Sequence, residues 1–150
     1  MLISDVCNRN VVCATRETTI SNAATLMRHN HIGDVVVVDR LDGDRMPIGI
    51  VTDRDIVVEV VAPGLDPNVI TLGDVLLSGR LVTVEGRESC PDTIRLMSAM
   101  GVHRMPVVTE GGALAGIVSI DDLLPHLATQ LSELAELGAS GRQREVQTRR

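Results

Sequence analysis

The chain has no phenylalanine, tyrosine or tryptophan among its 150 residues. Its hydrophobic core must therefore be filled by aliphatic side chains together with methionine and cysteine, which supply an apolar content of 44%. The absence also removes the aromatic platforms on which single-stranded nucleic acids stack.

Cysteine is scarce, and no stretch of sequence looks built for a membrane. Cys7, Cys13 and Cys90 are widely spaced and form no C-x-x-C pair, which indicates free, packed thiols rather than a disulfide framework or a zinc finger. No apolar run is long enough to span a bilayer, and the N-terminus lacks the basic-then-apolar pattern of a signal peptide. We therefore expect a cytoplasmic protein with no membrane partner.

The chain also lacks an excess of positive charge. Its net charge of −6 argues against the broad electrostatic contact that a DNA-binding surface needs, so no nucleic acid partner is expected. Residues 139–150 are the local exception, with four arginines and almost no apolar content. We predict that the last helix ends at Gly138 and that a mobile, mildly basic tail follows it.

One seven-residue pattern occurs twice. Gly49-Ile50-Val51-Thr52-Asp53-Arg54-Asp55 returns as Gly116-Ile117-Val118-Ser119-Ile120-Asp121-Asp122, 67 residues later. In each copy a short apolar run, typical of a buried strand, meets a hydroxyl followed three residues later by a carboxylate. That spacing is typical of a helix N-terminus, so each copy predicts a strand that leads directly into a helix.

The rest of each half follows the same order. A short helical turn leads each half, and a strand, an amphipathic helix, a hairpin of two strands and a second helix follow. Strands are predicted at residues 11–14, 35–38, 49–51, 81–84, 105–108 and 116–118. The uninterrupted valines at 35–38 indicate a strand that is covered on both faces.

These elements predict an α+β (or α/β) fold of two β-α-β-β-α repeats, packed sheet to sheet about a pseudo-twofold axis. We divide the chain into repeat 1 at residues 1–66, repeat 2 at 67–130, and the end of the last helix with the tail at 131–150. The connector between the repeats is too short to be an independent linker.

The two strand-to-helix junctions are candidate binding sites. The first N–H groups of a helix are unpaired and attract phosphate, and a hydroxyl there adds a hydrogen bond. A carboxylate on the first turn can accept from two ribose hydroxyls. Thr52 with Asp55 and Ser119 with Asp122 are thus halves of two nucleotide sites, or they are capping boxes and nothing more.

The doubled motif and the segment His103-Arg104-Met105-Pro106-Val107 resemble a pair of cystathionine-beta-synthase (CBS) domains, the Bateman module, over about residues 1–130. The chain looks like the stand-alone bacterial kind. The resemblance implies a regulatory module that binds AMP, ADP, ATP or S-adenosylmethionine in two clefts between the repeats. It also implies a homodimer that signals through its geometry to an unknown downstream protein.

The resemblance assigns ribose contacts to Asp55 and Asp122 and phosphate contacts to Thr52 and Ser119. Each cleft would combine one repeat's motif with strands of the other. The cleft of Thr52 and Asp55 would add Val82 to Val84, Val102, His103 and Arg104, and that of Ser119 and Asp122 would add residues 11–14, Ile32, Gly33 and Asp34. For His103, ligand contact and a structural role at the strand edge both stay open. Arg54 is either a further phosphate donor or a solvated arginine.

The two repeats are unequal where a phosphate would bind. Arg104 and Pro106 of the second repeat correspond to Asp34 and Val36 of the first. A carboxylate repels a phosphate held close to it in a cleft. We therefore predict one nucleotide per chain at a dominant site. Its members would be Thr52, Asp55, His103 and Arg104.

The sequence also bears on two other functions. Catalysis would need a nucleophile beside a base, or a cluster of metal ligands, and the pair His29 and His31 has no converging cysteine or carboxylate pattern. We therefore expect no enzyme, no bound metal and no catalytic cofactor. The alternative is a dimeric interaction module that has lost its ligand.

Overall fold

The computed structural model describes residues 1–76 and 81–149. The first repeat contains α1 (Ile3–Val6), β1 (Cys13–Ala14), α2 (Ile20–Asn30), β2 (Asp34–Val38), β3 (Pro47–Thr52) and α3 (Asp53–Ile56), which a π-helical turn (Val57–Val61) prolongs. The second contains α4 (Leu72–Val75), β4 (Val84–Glu85), α5 (Cys90–Met100), β5 (Arg104–Val108), β6 (Leu114–Ser119) and α6 (Ile120–Thr148). The predicted order of elements and the α+β fold are confirmed.

Each repeat folds its own three-stranded sheet, in the orders β1-β2-β3 and β4-β5-β6. The first strand is parallel to the middle one, and the middle strand is antiparallel to the third. The strands predicted at 11–14 and 81–84 are shorter than expected. Only two residues of each first strand pair with the middle strand, in the registers Cys13↔Val36 and Val84↔Val107.

The valines of β2 pack against both sides of their sheet. Val35 and Val37 belong to the core between the first sheet and its helices, while Val36 and Val38 face the second sheet and meet Leu114. All four are fully buried. A strand that alternates between two apolar layers needs no polar residue, which explains the run of valines and confirms that the repeats pack sheet to sheet.

The repeats exchange their leading helices. Ile3 of α1 lies in the core of the second repeat, and Ser4 N donates to Gly86 O at 2.9 Å. Conversely, Leu72 of α4 lies in the core of the first repeat, and its N–H donates to Thr18 O at 2.8 Å. Each core is therefore completed by the other half of the sequence.

The predicted end of the last helix is wrong. Helix α6 continues through Gly138 and Gly141 to Thr148, and its residues from Ala128 onward are exposed. Gly138 and Gly141 are not among the glycines with a positive φ, so neither adopts the left-handed conformation that ends a helix. The mobility expected of residues 139–150 stays a prediction, and Arg150 lies outside the described residues.

Within residues 1–76 and 81–149, no helix combines the length and the apolar character that a bilayer span requires. Helix α6 has the length, but polar and charged side chains alternate with its apolar ones.

Candidate functional site

Both predicted junctions form helix caps. At the start of α3, Thr52 N donates to Asp55 Oδ2 at 2.8 Å, and Asp55 N donates to Thr52 Oγ1 at 3.1 Å. At the start of α6, Ser119 N and Ser119 Oγ both donate to Asp122 Oδ2, at 2.8 and 2.9 Å. The hydroxyl and the carboxylate of each motif therefore do cap a helix, as predicted from their spacing of three residues.

Capping leaves chemistry available at both junctions. Each aspartate uses Oδ2 in its cap, and its other oxygen, Oδ1, has no hydrogen bond within the described part of the chain. Thr52, Asp55, Ser119 and Asp122 are all partly exposed. A ligand that reached either junction would meet a carboxylate oxygen beside the first N–H groups of a helix.

The Thr52 junction opens into a cleft of about 580 Å³, called here the first cleft. Its lining comes from both repeats: Ile48, Gly49, Ile50, Thr52, Asp55, Val75, Leu76, Leu81, Val82, Gly101, Val102, His103 and Arg104. The volume lies within the usual range for small-molecule sites, and the walls are mostly aliphatic with a few converging polar groups. The structure thus brings Thr52, Asp55, Val82, Val102, His103 and Arg104 together in one cleft.

The Ser119 junction opens into a smaller hollow of about 150 Å³, the second cleft. Asn8, Asn10, Val11, Val12, Ile32, Asp34, Arg104, Ile117, Ser119, Asp121 and Asp122 line it. This volume is below the usual range for a ligand site. Three carboxylates against one guanidinium also make its lining acidic.

Six predicted residues line neither cleft: Cys13, Ala14, Gly33, Arg54, Thr83 and Val84. Val84 is buried in the core of the second repeat. Gly33 lines neither cleft, and its carbonyl accepts from Asp53 N at 2.9 Å at the start of α3. Arg54 is exposed on α3 and lines neither cleft, which fits a solvated arginine.

An ion pair joins the two repeats between the clefts. Arg104 Nη1 donates to Asp34 Oδ2, and the side chains are 36% and 18% exposed. Arg104 is the residue that lines both clefts. The guanidinium that was predicted to face a phosphate is therefore paired with the carboxylate that was predicted to repel one.

Some lining residues had no sequence signal. Asn8 reaches the second cleft because it pairs with Ile117 of β6, with Asn8 N donating to Ile117 O at 2.9 Å. Leu76 reaches the first cleft because it follows the exchanged helix α4. Both placements depend on contacts between distant parts of the chain, which no local pattern reveals.

The thiols of Cys7 and Cys13 have pKa values that disfavour the reactive thiolate. Burial raises the pKa of the thiols of Cys7 and Cys13, and Arg45 beside Cys13 offsets part of that rise. A raised pKa keeps a thiol protonated and unreactive. Within the described ranges, no three histidine, cysteine or acidic side chains group as metal ligands, and the absence of a bound metal stays a prediction.

Comparison with known proteins identifies the family. The CBS-domain family model matches residues 3–62 and, a second time, residues 72–129. The chain belongs to the CBS-domain family. It is a tandem CBS pair, as the doubled motif predicted.

Two relatives share much of this sequence. Uncharacterized protein MK0525 of Methanopyrus kandleri is 34% identical over 134 residues, which are 87% of this chain and 66% of that protein. Hypoxic response protein 1 of Mycobacterium tuberculosis is 37% identical over 123 residues, which are 82% of each chain. This chain thus spans about two thirds of the length of the first relative.

Solved structures share the fold. The crystal structure of hypoxic response protein 1 with two coordinated zinc ions has a TM-score of 0.73 at 33% identity, covering 84% of this chain and 98% of that one. The CBS domain protein PAE2072 of Pyrobaculum aerophilum, complexed with AMP, has a TM-score of 0.73 at 27% identity, covering 86% and 99%.

Proposed function

We propose that this CBS pair is a regulatory module, not an enzyme, which binds one adenosine nucleotide per chain in the first cleft. One observation carries the proposal. Thr52 and Asp55 of the first repeat and Val82, Val102, His103 and Arg104 of the second line one cleft of ligand size. The AMP bound by the relative from Pyrobaculum aerophilum supports an adenosine ligand. AMP, ADP, ATP and S-adenosylmethionine are the candidates.

The cleft offers a complementary surface to each part of a nucleotide. Aliphatic side chains such as Ile50, Val82 and Val102 can enclose the base without aromatic stacking. Asp55 Oδ1 can accept from the ribose hydroxyls. The Thr52 hydroxyl, the N-terminus of α3 and the guanidinium of Arg104 can meet a phosphate.

The output is proposed to be a change in a homodimer. Val57, Val58 and Val61 on the π-helical turn after α3 are 56%, 46% and 64% exposed, and Leu124 on α6 is 57% exposed. Such apolar helix faces are typical of protein interfaces. A ligand acts on such an assembly by binding one arrangement better than another, and an unknown downstream protein would detect the change.

The proposal is tested first by the ultraviolet spectrum of the purified protein. Without tyrosine or tryptophan the polypeptide absorbs little at 280 nm, so a band near 260 nm would come from a bound base. Mass spectrometry of what heat denaturation releases would name the ligand. If no band appears near 260 nm, AMP, ATP and S-adenosylmethionine are titrated into the protein by calorimetry. Chemical turnover of each compound is measured in parallel.

Two equivalent substitutions then test the site. Asp55→Ala should weaken binding by about 1–3 kcal/mol because it removes the acceptor for the ribose hydroxyls. Asp122→Ala is the matched control, since it breaks the equivalent cap at the second cleft, and it should leave affinity nearly unchanged. Equal affinity in both variants and the wild type would rule out this site, and two equally tight ligands per chain would refute the asymmetry.

A ligand-free interaction module is the second candidate. It is favoured by the small volume of the second cleft and by the ion pair that already neutralises Arg104. Under this function no base would be released on denaturation and none of the three ligands would bind. The exposed apolar faces would then be the functional surface.

A further inference from the structure

Asp34 and Arg104 occupy equivalent positions in the two repeats. Asp34 is the first residue of β2 and pairs in register with Thr52, while Arg104 is the first residue of β5 and pairs with Ser119. Each side chain therefore starts beside the capping hydroxyl of its own repeat. Because the repeats pack about a pseudo-twofold axis, residues at equivalent positions near that axis can meet each other.

They do meet, and the contact joins the clefts. Arg104 Nη1 donates to Asp34 Oδ2 across the interface between the repeats. Arg104 lines both clefts, while Asp34 lines the second. Arg104 thus borders both clefts, and the carboxylate of Asp34 from the other repeat partly neutralises the charge of its guanidinium.

We propose that Asp34 is a specificity-determining residue that competes with a ligand phosphate for Arg104. The inference rests on the proposed binding of nucleotides in the first cleft. A phosphate in the first cleft can bind the guanidinium of Arg104 only if the hydrogen bond from Arg104 to Asp34 is broken. The same carboxylate, with Asp121 and Asp122, keeps negatively charged ligands out of the second cleft.

The pair is suited to exchange partners. Both side chains are partly exposed, so the bond is screened by solvent and is weaker than a buried ion pair would be. Arginine binds a phosphate through two parallel hydrogen bonds, which a phosphate in the cleft can offer in place of the carboxylate. Asp34 therefore lowers the affinity for phosphate-bearing ligands and has no such effect on the uncharged nucleoside.

The test compares AMP with adenosine by calorimetry. In Asp34→Asn, AMP should bind on the order of tenfold more tightly than in the wild type, which lies within the usual range of couplings between groups in one salt-bridge network. Adenosine should bind equally well to both proteins. Asp42→Asn is the control, because it removes the same charge from an exposed loop outside both clefts, and it should leave the affinity for AMP unchanged.

A double-mutant cycle gives a second readout. Arg104→Gln should weaken AMP and spare adenosine, and Asp34→Asn should have no further effect in that background because the contested group is gone. Circular dichroism and thermal unfolding establish that each variant is folded. If Asp34→Asn is unstable, Asp34→Ser removes the same carboxylate and is measured in its place, and an affinity for AMP no higher than that of the wild type contradicts the proposal.

The measured affinities distinguish a failure of the competition by Asp34 from a failure of nucleotide binding in the first cleft. If AMP binds the wild type but Asp34→Asn binds it no better, the competition by Asp34 is overturned and the proposed function stands. If Asp34→Asn strengthens AMP and adenosine alike, Asp34 does not act through the phosphate and the inference fails. If neither ligand binds any of these proteins, the inference fails, and the proposed function fails with it when ADP, ATP and S-adenosylmethionine also do not bind the wild type.

Discussion

Gly49 and Gly116 hold the same place in the two motifs but have different neighbours. A Cβ at Gly116 would lie 2.9 Å from the backbone oxygen of Asn8 and 2.9 Å from Cys7 Sγ. A Cβ at Gly49 would lie 2.3 Å from Cδ2 of Leu76, the far end of a side chain. A side-chain end can rotate away, whereas a backbone oxygen held by the Asn8↔Ile117 bridge cannot.

We therefore predict that Gly116→Ala destabilises the protein by about 1–3 kcal/mol, the cost of overpacking a site that cannot relax. Gly49→Ala should cost clearly less. Urea unfolding of both variants and the wild type measures the difference. An equal or reversed order would mean that the backbone at Asn8 yields more easily than the side chain of Leu76.

At the scale of single residues, the sequence predicted those features that depend on the spacing of neighbouring residues. The distance of three residues from Thr52 to Asp55 and from Ser119 to Asp122 predicted both helix starts and both caps. It did not find that Asp34 meets Arg104, although it identified their positions as equivalent. That contact depends on how the two sheets pack, which no spacing within one repeat contains.

At the scale of elements, α6 departs most from expectation. Glycine usually ends a helix when it takes a left-handed conformation, but Gly138 and Gly141 stay helical. The residues around them, among them Leu137, Ala139 and Arg142, are good helix formers, and no proline follows to stop the chain. The glycine at position 138 thus predicted a helix end that does not occur. Each glycine inside α6 instead lowers the stability of the helix by about 1 kcal/mol relative to alanine.

This cost gives a testable consequence. Gly138→Ala and Gly141→Ala should each stabilise the exposed half of α6 by about 0.5–1 kcal/mol, since a Cβ at either site meets nothing within 4 Å. Amide hydrogen exchange of residues 139–148 should slow accordingly. Gly64→Ala is the control, because its φ of +77° disfavours any side chain, and it should destabilise. Unchanged exchange in both α6 variants would mean that these residues are not helical in solution.

At the scale of the whole molecule, the two halves of the sequence do not coincide with the two packed cores. The doubled motif predicted two similar halves sharing a core, and that architecture is confirmed. The exchange of α1 and α4 was not foreseen, because amphipathic turns such as 3–6 and 72–75 look alike and either sheet could receive them. The core of the first repeat therefore includes Leu72 and Val75, which sequence division assigns to the second.

Two fragments of equal length turn this exchange into an experiment. Residues 11–76 contain every member of the first core cluster, whereas residues 1–66 lack Ile70, Leu72, Val75 and Leu76 and carry α1 with no partner. We expect 11–76 to show more helical circular dichroism and a more cooperative thermal transition than 1–66, because buried apolar contacts supply most of the stability. Fragment 1–66 should gain structure only when mixed with 67–150, which supplies the missing helix and takes up α1. A fragment 1–66 that folds as well as 11–76 on its own would mean that the exchanged helices contribute little to either core.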